Sequence, residues 1–410
     1  MESVISNNYI LKNGVSIKNR ILKSAMSEAL GNHQYLPTEG LYRLYEQWAD
    51  GGTGLLITGN VMIDRKALGE PRNVVVEDDK VLPFLEKWAE KGTKNNTQLW
   101  MQLNHPGKQA FKGAVKESVA PSAIPFEGKI SRFFHKPREM KKEEIVDSIK
   151  RFGYSALLAK KSGFTGVQIH GAHGYLISQF LSPRHNQRKD EWGGDINGRM
   201  KFLIEIYREI RKQTGESFPI SVKLNSADFM KAGFTEDESI YTALMLEKEG
   251  VDLLEISGGT YESSPMAKMN QKSSTKIREA YFMDYAEKLR QTVKIPLCVT
   301  GGFRSVTGME NALNSNAMDF VGLARPLAIY PDLPNLFANQ SINEIRIDQR
   351  KTGIRFIDEL GMLEITWYAQ QLRRLAKGRK TRPQYPVIFS FLQALAKNGK
   401  EIFIKQRSGI

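Results

Sequence analysis

The chain has a single cysteine, Cys298, in 410 residues. That excludes an intrachain disulfide framework and any multi-cysteine zinc or iron–sulfur site. No apolar run approaches the roughly 18 residues a membrane span needs. The N-terminal MESVISNNYILKNGVSIKNR also lacks the charged start and apolar core of a secretory signal. A cytoplasmic protein is the expectation. Low-complexity tracts and solenoid-period repeats are missing, and 41% hydrophobic with 25% charged residues is an ordinary globular composition. No Gly-x-Gly-x-x-Gly turn follows an early strand, which argues against a doubly wound dinucleotide-binding sheet. Acidic residues are the scarcer charge, 45 against 59 Lys and Arg, giving a net +14 that favours anionic ligands or surfaces. Residues 341–410 carry 14 basic and 6 acidic side chains, so much of that excess lies in the tail.

What is present is a regular alternation. Eight short β-rich apolar runs are separated by helical periodicity: 21–26, 54–60, 97–103, 166–170, 220–225, 251–257, 295–301 and 319–325. The first intervening helix is predicted over 38–48, with Thr38 as its cap, Leu41, Leu44, Tyr45 and Trp48 on one face, and Gly51-Gly52 as its stop. Eight buried parallel strands alternating with helices is the pattern of a (β/α)8 TIM barrel, an α/β fold whose active site forms at the C-terminal strand ends. Polar residues recur at those ends: Ser24 and Ser27, Thr58 and Gly59, Gln102 and His105, His170 and His173, Lys223 and Asn225, Ser257 and Gly258, Thr300 to Gly302, and Arg325. The turn VTGGFRS after strand 7 and Arg325 after strand 8 match the place where barrels often build a phosphate site.

The densest cluster is VQIHGAHGYLISQFLSP, residues 167–183, with His170, His173 and Tyr175 straight after an apolar run. The residues alone leave open a metal site, a row of donors facing a substrate, or a polar loop. Zinc would need at least one further ligand, and no paired carboxylate or cysteine motif stands beside them, so no metal is expected.

Over residues 5–335 the chain resembles the old yellow enzyme family, the FMN-dependent NAD(P)H:ene reductases. The resemblance rests on KNRILKSAMSEAL, MQLNHPGKQA, VAPSAIPF followed by PREM, GVQIHGAHGYLISQFLSPRHNQRKDEWGGDINGR, VTGGFRS and VGLARP. It implies bound FMN with NADPH or NADH as hydride donor. Ala25, Met26 and Ser27 would then lie along the flavin edge, Gly59 and Gln102 at its pyrimidine side, and Lys223 near the N1/C2 carbonyl. Gly301, Gly302, Ala324 and Arg325 would hold the phosphate. His170 and His173 would bind the acceptor's carbonyl or nitro oxygen, and Tyr175 would supply a proton to the α-carbon. The implied acceptor is a small electron-poor alkene or quinone, with no nucleic acid partner. Some relatives carry a cysteine where Ser27 stands, and others an arginine at the position of Lys223. Asp195 and Arg199 in WGGDINGR are expected to brace the loop after strand 4.

Residues 1–338 are expected to form the FMN-binding barrel and 339–410 a basic helical C-terminal extension. Ile365, Tyr368, Leu372 and Leu375 follow one helix face, and Val387, Ile388, Phe391, Leu392 and Leu395 a second, with KGRKTRP between. The extension is expected to pack on the barrel or on a neighbouring subunit of a homo-oligomer; the sharper alternative is contact with an anionic membrane. Rivals for the whole chain are a dihydrouridine-synthase-like flavin barrel acting on RNA, a non-catalytic membrane- or partner-binding protein working through the tail, and a metal-dependent barrel hydrolase.

Overall fold

The computed structural model describes residues 3–260, 280–346, 363–390 and 392–393. Eight parallel strands close on one another: β1 (Ile21–Lys23), β2 (Leu55–Ile57), β3 (Gln98–Asn104), β4 (Gly166–Gly171), β5 (Ile220–Asn225), β6 (Leu253–Ser257), β7 (Leu297–Thr300) and β8 (Phe320–Leu323). Each pairs with its sequence neighbour, and β8 pairs with β1, so the sheet has no free edge. All eight expected strands are present. The antiparallel pair Tyr9–Ile10 and Ser16–Ile17 sends Leu11 and Ile17 against the barrel's lower end.

Period-two alternation sorts the inward-facing side chains into levels. Leu22, Leu55, Ile57, Trp100, Leu253, Cys298 and Phe320 pack into one apolar cluster at the floor. Two residues further along the same strands stand Ser24, Gln102, Glu255 and Thr300, joined by Gln168 of β4 and Lys223 of β5. Two further still, at the mouth, come Asn104, His170, Asn225 and Ser257. Gly322 permits the middle level to close, because a Cβ there would lie 2.0 Å from Thr300 Oγ1 and 2.8 Å from Ser24 Oγ.

Outside the strands lie α1 (Glu39–Asp50), α2 (Leu82–Gly92), α3 (Lys142–Lys161), the short α4 (Leu176–Leu181), α5 (Ile196–Thr214), α6 (Glu236–Glu249), α7 (Met283–Arg290), α8 (Val306–Asn314), α9 (Arg325–Ile329) and α10 (Leu333–Ala338). Leu41, Leu44, Tyr45 and Trp48 of α1 are buried as the pattern required, and Gly51 ends the helix. Thr38 precedes it without capping it; its hydroxyl donates 2.7 Å to Leu30 O instead. Asp195 caps α5 by accepting from Gly198 N at 3.0 Å. Arg199 donates to the Leu181 carbonyl at 2.5 Å, to Gly194 O at 3.1 Å and to Glu238, so WGGDINGR is a brace, as expected.

In the extension, α11 (Leu363–Ala376) buries Tyr368, Leu372 and Leu375. It lies on α1 of its own barrel, where Arg43 and Gln47 donate to the Ala376 and Leu375 carbonyls at 2.9 Å each. Residues 387–390 and 392–393 are helical, with Phe389 and Leu392 exposed. The side chain of Ile365, and Phe391 and Leu395, lie outside the described residues. No helix among the described residues is long and apolar enough to cross a membrane.

Candidate active site

Every residue expected to bind cofactor or acceptor stands at or just beyond the C-terminal end of a barrel strand. Ala25, Met26 and Ser27 follow β1, Gly59 follows β2, and Gln102 lies in β3. His170 lies in β4, with His173 and Tyr175 in the turn to α4, and Lys223 lies in β5. Gly301 and Gly302 follow β7, and Ala324 and Arg325 follow its neighbour β8.

The segment after β1 is held from outside the barrel by a buried cation. Lys23 Nζ donates to Ile57 O at 2.8 Å, Glu28 at 3.2 Å and the Tyr45 hydroxyl at 3.3 Å. Tyr45 in turn donates to Glu28 at 2.5 Å and accepts from Gly59 N at 3.0 Å. One network thus positions both Gly59 and the 25–28 segment. Ser27, the expected flavin-edge donor, gives its hydroxyl proton to Glu70. Burial pushes the Glu70 carboxyl up, against the Ser27 hydrogen bond and with the help of Glu28.

The middle level is a continuous polar network. Gln102 Nε2 donates to Gln168 Oε1 at 2.7 Å, and Gln168 Nε2 to Glu255 Oε2 at 2.9 Å. Lys223 Nζ and Thr300 Oγ1 donate to Glu255 Oε1 at 2.9 and 2.7 Å, and Thr300 meets Ser24 Oγ at 2.7 Å. Lys223 is therefore an internal ion-pair partner of Glu255 as well as a cation beneath the mouth. Glu255, its counter-ion, is fully buried.

At the mouth, His170 Nδ1 lies 3.0 Å from Asn60 Oδ1, and His173 Nε2 lies 2.6 Å from Ser257 Oγ. His170 Nε2 and His173 Nδ1 face each other at 3.3 Å, their rings nearly perpendicular. Asn60 Nδ2 also donates 3.4 Å to the Tyr175 hydroxyl, and the Tyr175 ring lies 4.7 Å from that of His170. His173 has φ +60°, which costs a non-glycine residue about 1–2 kcal/mol. Four contacts hold it there: its N–H to Asn225 Oδ1 at 3.1 Å, its carbonyl to Gln109 Nε2 at 2.8 Å, its ring to Ser257, and a strand-like bridge to Thr260. Desolvation, with the nearby Lys223 charge, lowers His173 to about 3. The same burial, then His173 and Lys223, holds His170 well below the ordinary histidine value. Both rings are neutral at physiological pH, so each carries one N–H; with Asn60 Oδ1 facing it, that of His170 is on Nδ1, and turning the Asn60 amide would move it to Nε2.

Asn60, Glu70 and Glu255 contact candidate site residues, and the sequence motifs did not single them out. Asn60 closes the strand-2 run directly after Gly59, so the strand-end rule could have found it. Glu255 sits inside an apolar run whose alternation marks it as inward-facing. Glu70 lies in a connecting loop with no periodic signal.

The donor set suits an FMN group. Gln102 and Lys223 bring a neutral amide and a cation up from the lumen. Asn104 Oδ1 and Gln109 Oε1 are buried near the mouth with no protein donor among the described residues, ready to accept from a bound molecule. Gly301 and Gly302 have φ of +108° and +104°, a backbone shape that side-chain-bearing residues resist, beside Arg325 at the next strand end. Metal is a poor fit: among the described residues no three His, Cys, Asp or Glu side chains converge. Cys298 lies in the apolar floor with its thiol pushed well up by burial, the opposite of the acidic cysteine an RNA-reducing flavin barrel requires.

Residues 10–344 match the NADH:flavin oxidoreductase / NADH oxidase family. An NADH-dependent flavin oxidoreductase of Hypocrea jecorina, iliE, is 37% identical over 346 residues, which cover 79% of this chain and 86% of that protein. An NADPH dehydrogenase of a Geobacillus species is 30% identical over 358 residues, 87% of this chain and all of the relative. In fold, the old yellow enzyme homologue of Zymomonas mobilis superposes with a TM-score of 0.72 at 23% identity, over 84% of this chain and 94% of that one. The chain belongs to the NADH:flavin oxidoreductase / NADH oxidase family, the old yellow enzyme family its motifs resemble, and is an FMN-dependent NAD(P)H oxidoreductase.

Proposed function

We propose that the acceptor is a small electron-poor alkene, enone or quinone, reduced at its C=C bond in alternation with NADH or NADPH at one site. The observation that carries this is the meeting of His170 Nε2 and His173 Nδ1 around one point, beside the Tyr175 hydroxyl. FMN, when bound, would supply the hydride chemistry that links the nicotinamide to the acceptor. Gln102 and Lys223 would hold the flavin ring from the lumen side, Ala25, Met26, Ser27 and Gly59 would border it, and Gly301, Gly302, Ala324 and Arg325 would hold its phosphate.

His173 donates from Nδ1 to the acceptor's oxygen, with Ser257 Oγ donating to its Nε2, and His170 donates from Nε2 once its Nδ1 faces the amide nitrogen of Asn60 in place of Oδ1, so that the pair draws electron density off the β-carbon. Neutral imidazoles suit this role, since the acceptor oxygen gains charge only as the reaction proceeds and the donors are already in place. Ser257 and Asn60 hold the rings from behind. Tyr175 Oη delivers the proton to the α-carbon, with Asn60 fixing the hydroxyl's position. We also propose a cytoplasmic enzyme, with residues 1–338 as its reductase barrel and 339–410 as an extension whose α11 braces α1. The positive charge of that extension supports contact with an anionic membrane, and its exposed Phe389 and Leu392 support contact with a second copy.

An anaerobic titration tests the acceptor class. The protein's flavin bands should bleach with NADH or NADPH and return on adding cyclohexenone or a benzoquinone. Bands that bleach but recover only with dioxygen would overturn the alkene and quinone reading while leaving the oxidoreductase intact.

A further inference from the structure

The middle level of the barrel has a direction, and Glu255 sets it. Its carboxyl accepts from Lys223 and Thr300 on Oε1 and from Gln168 on Oε2. Burial alone would raise its pKa, but the Lys223 charge and the donors from Thr300, Lys223 and Gln168 outweigh that and hold it low, so it is a carboxylate. A carboxylate can only accept hydrogen bonds. Whichever way an amide is drawn, the Gln168 atom 2.9 Å from Glu255 must therefore be Nε2. Gln168 then presents Oε1 to Gln102, and the Gln102 atom 2.7 Å away must be Nε2. Gln102 is left with its carbonyl oxygen turned away from Gln168.

We propose that Glu255 is a positioning residue that, through Gln168, fixes Gln102 as a hydrogen-bond acceptor for the flavin and so selects the ring's N3–H. That N–H is the one donor on a pyrimidine edge otherwise made of the C2 and C4 carbonyls, so a reversed Gln102 would leave it unpaired. The inference rests on the proposed placement of Gln102 at the pyrimidine side. Gln168 has no contact with Lys223 in this network, so replacing it breaks the amide relay and leaves the ion pair standing.

The full-length protein, loaded with 15N-labelled oxidised FMN, gives a direct readout: proton–nitrogen NMR of N3–H, and the nitrogen shift of the proton-free N5. The wild type should show an N3–H signal shifted downfield of free FMN and slow to exchange with solvent. Gln168→Met and Glu255→Gln should both move it back toward the free value, with N5 unmoved in Gln168→Met, while Glu255→Asp retains the shift. An N3–H identical in wild type and Gln168→Met, or one already at the free value in wild type, overturns the relay. A protein that takes up no FMN overturns the flavin placement and this inference with it. Should Glu255→Gln fail to fold, Gln168→Met alone decides.

Discussion

The floor of the barrel and the level above it are two residues apart on the same strands and obey different rules. The floor is a packing problem: Leu22, Leu55, Ile57, Trp100, Leu253, Cys298 and Phe320 need only fill space, and volume-conserving exchange is tolerated in such cores. The level above is an accounting problem. Gln102, Gln168, Lys223, Glu255, Thr300 and Ser24 are held by specific donor–acceptor pairs, and each partner removed leaves a buried group unsatisfied. The mouth inherits its chemistry from the second kind of order, because neutral histidines and a placed cation depend on burial with partners.

Acid should separate the regions most sharply. The floor holds no group that charges on acidification, whereas His173 above it is lowered to about 3 and His170 well below the ordinary value. His105 and His185, outside the floor, are lowered to about 4 and about 3. An unfolded histidine takes its proton near 6.5, so between that value and the folded one the unfolded state binds more protons and stability falls as pH falls. Each such histidine contributes a slope of about 1.4 kcal/mol per pH unit. Glu255, depressed by Lys223, adds loss of the same sign at lower pH. Urea unfolding from pH 7.5 down to 4.5 should show a steep decline beginning below 6.5. A flat profile would mean that the mouth histidines are not desolvated.

Lys223→Met breaks the middle level at its charge. It strands Glu255 as an uncompensated buried carboxylate and should cost about 3–5 kcal/mol. Lys223→Met combined with Glu255→Gln should recover most of that, since a neutral pair has no charge to bury. If the single variant is nearly neutral in denaturant unfolding, Glu255 is balanced by something other than Lys223.

At the mouth, Tyr175→Phe should slow reoxidation of the reduced flavin by an enone about 10²-fold, the lower range for losing a general acid. Bleaching by NADH or NADPH needs no proton from Tyr175 and should stay near the wild-type rate. Equal slowing of both half-reactions would make Tyr175 a packing residue.

The sequence made the two regions unequally legible. All eight strands could be read because apolar runs of strand length separated by amphipathic helices have few architectural solutions. Thr38, by contrast, has the composition of a cap but spends its hydroxyl on Leu30 O, a contact that composition does not encode. His170, His173 and Tyr175 could be found because three such residues so close together are rare after an apolar run. The alternation of VDLLEIS could turn Glu255 inward, but its partners Lys223, Gln168 and Thr300 come from other strands and could not be read from that run. Glu70 owes its role to a loop returning over the mouth, a long-range fact without period, whereas Asn60 stands at a strand end where the barrel rule could have found it.

The smallest expected effect is the one that isolates the comparison. Leu253→Met in the floor and Thr300→Val above it are both near-isosteric and face the lumen, the first at a fully buried position and the second at a half-buried one. The first keeps apolar volume and should cost less than about 1.5 kcal/mol. The second also keeps volume, but removes the 2.7 Å donor to Glu255 and the partner of Ser24, and should cost about 1–3 kcal/mol. Denaturant midpoints of the two variants, taken at one pH, give the contrast. If Thr300→Val is as mild as Leu253→Met, the upper level is held by packing as the floor is, and the polarity of Gln102 would have to come from the flavin and not from Glu255.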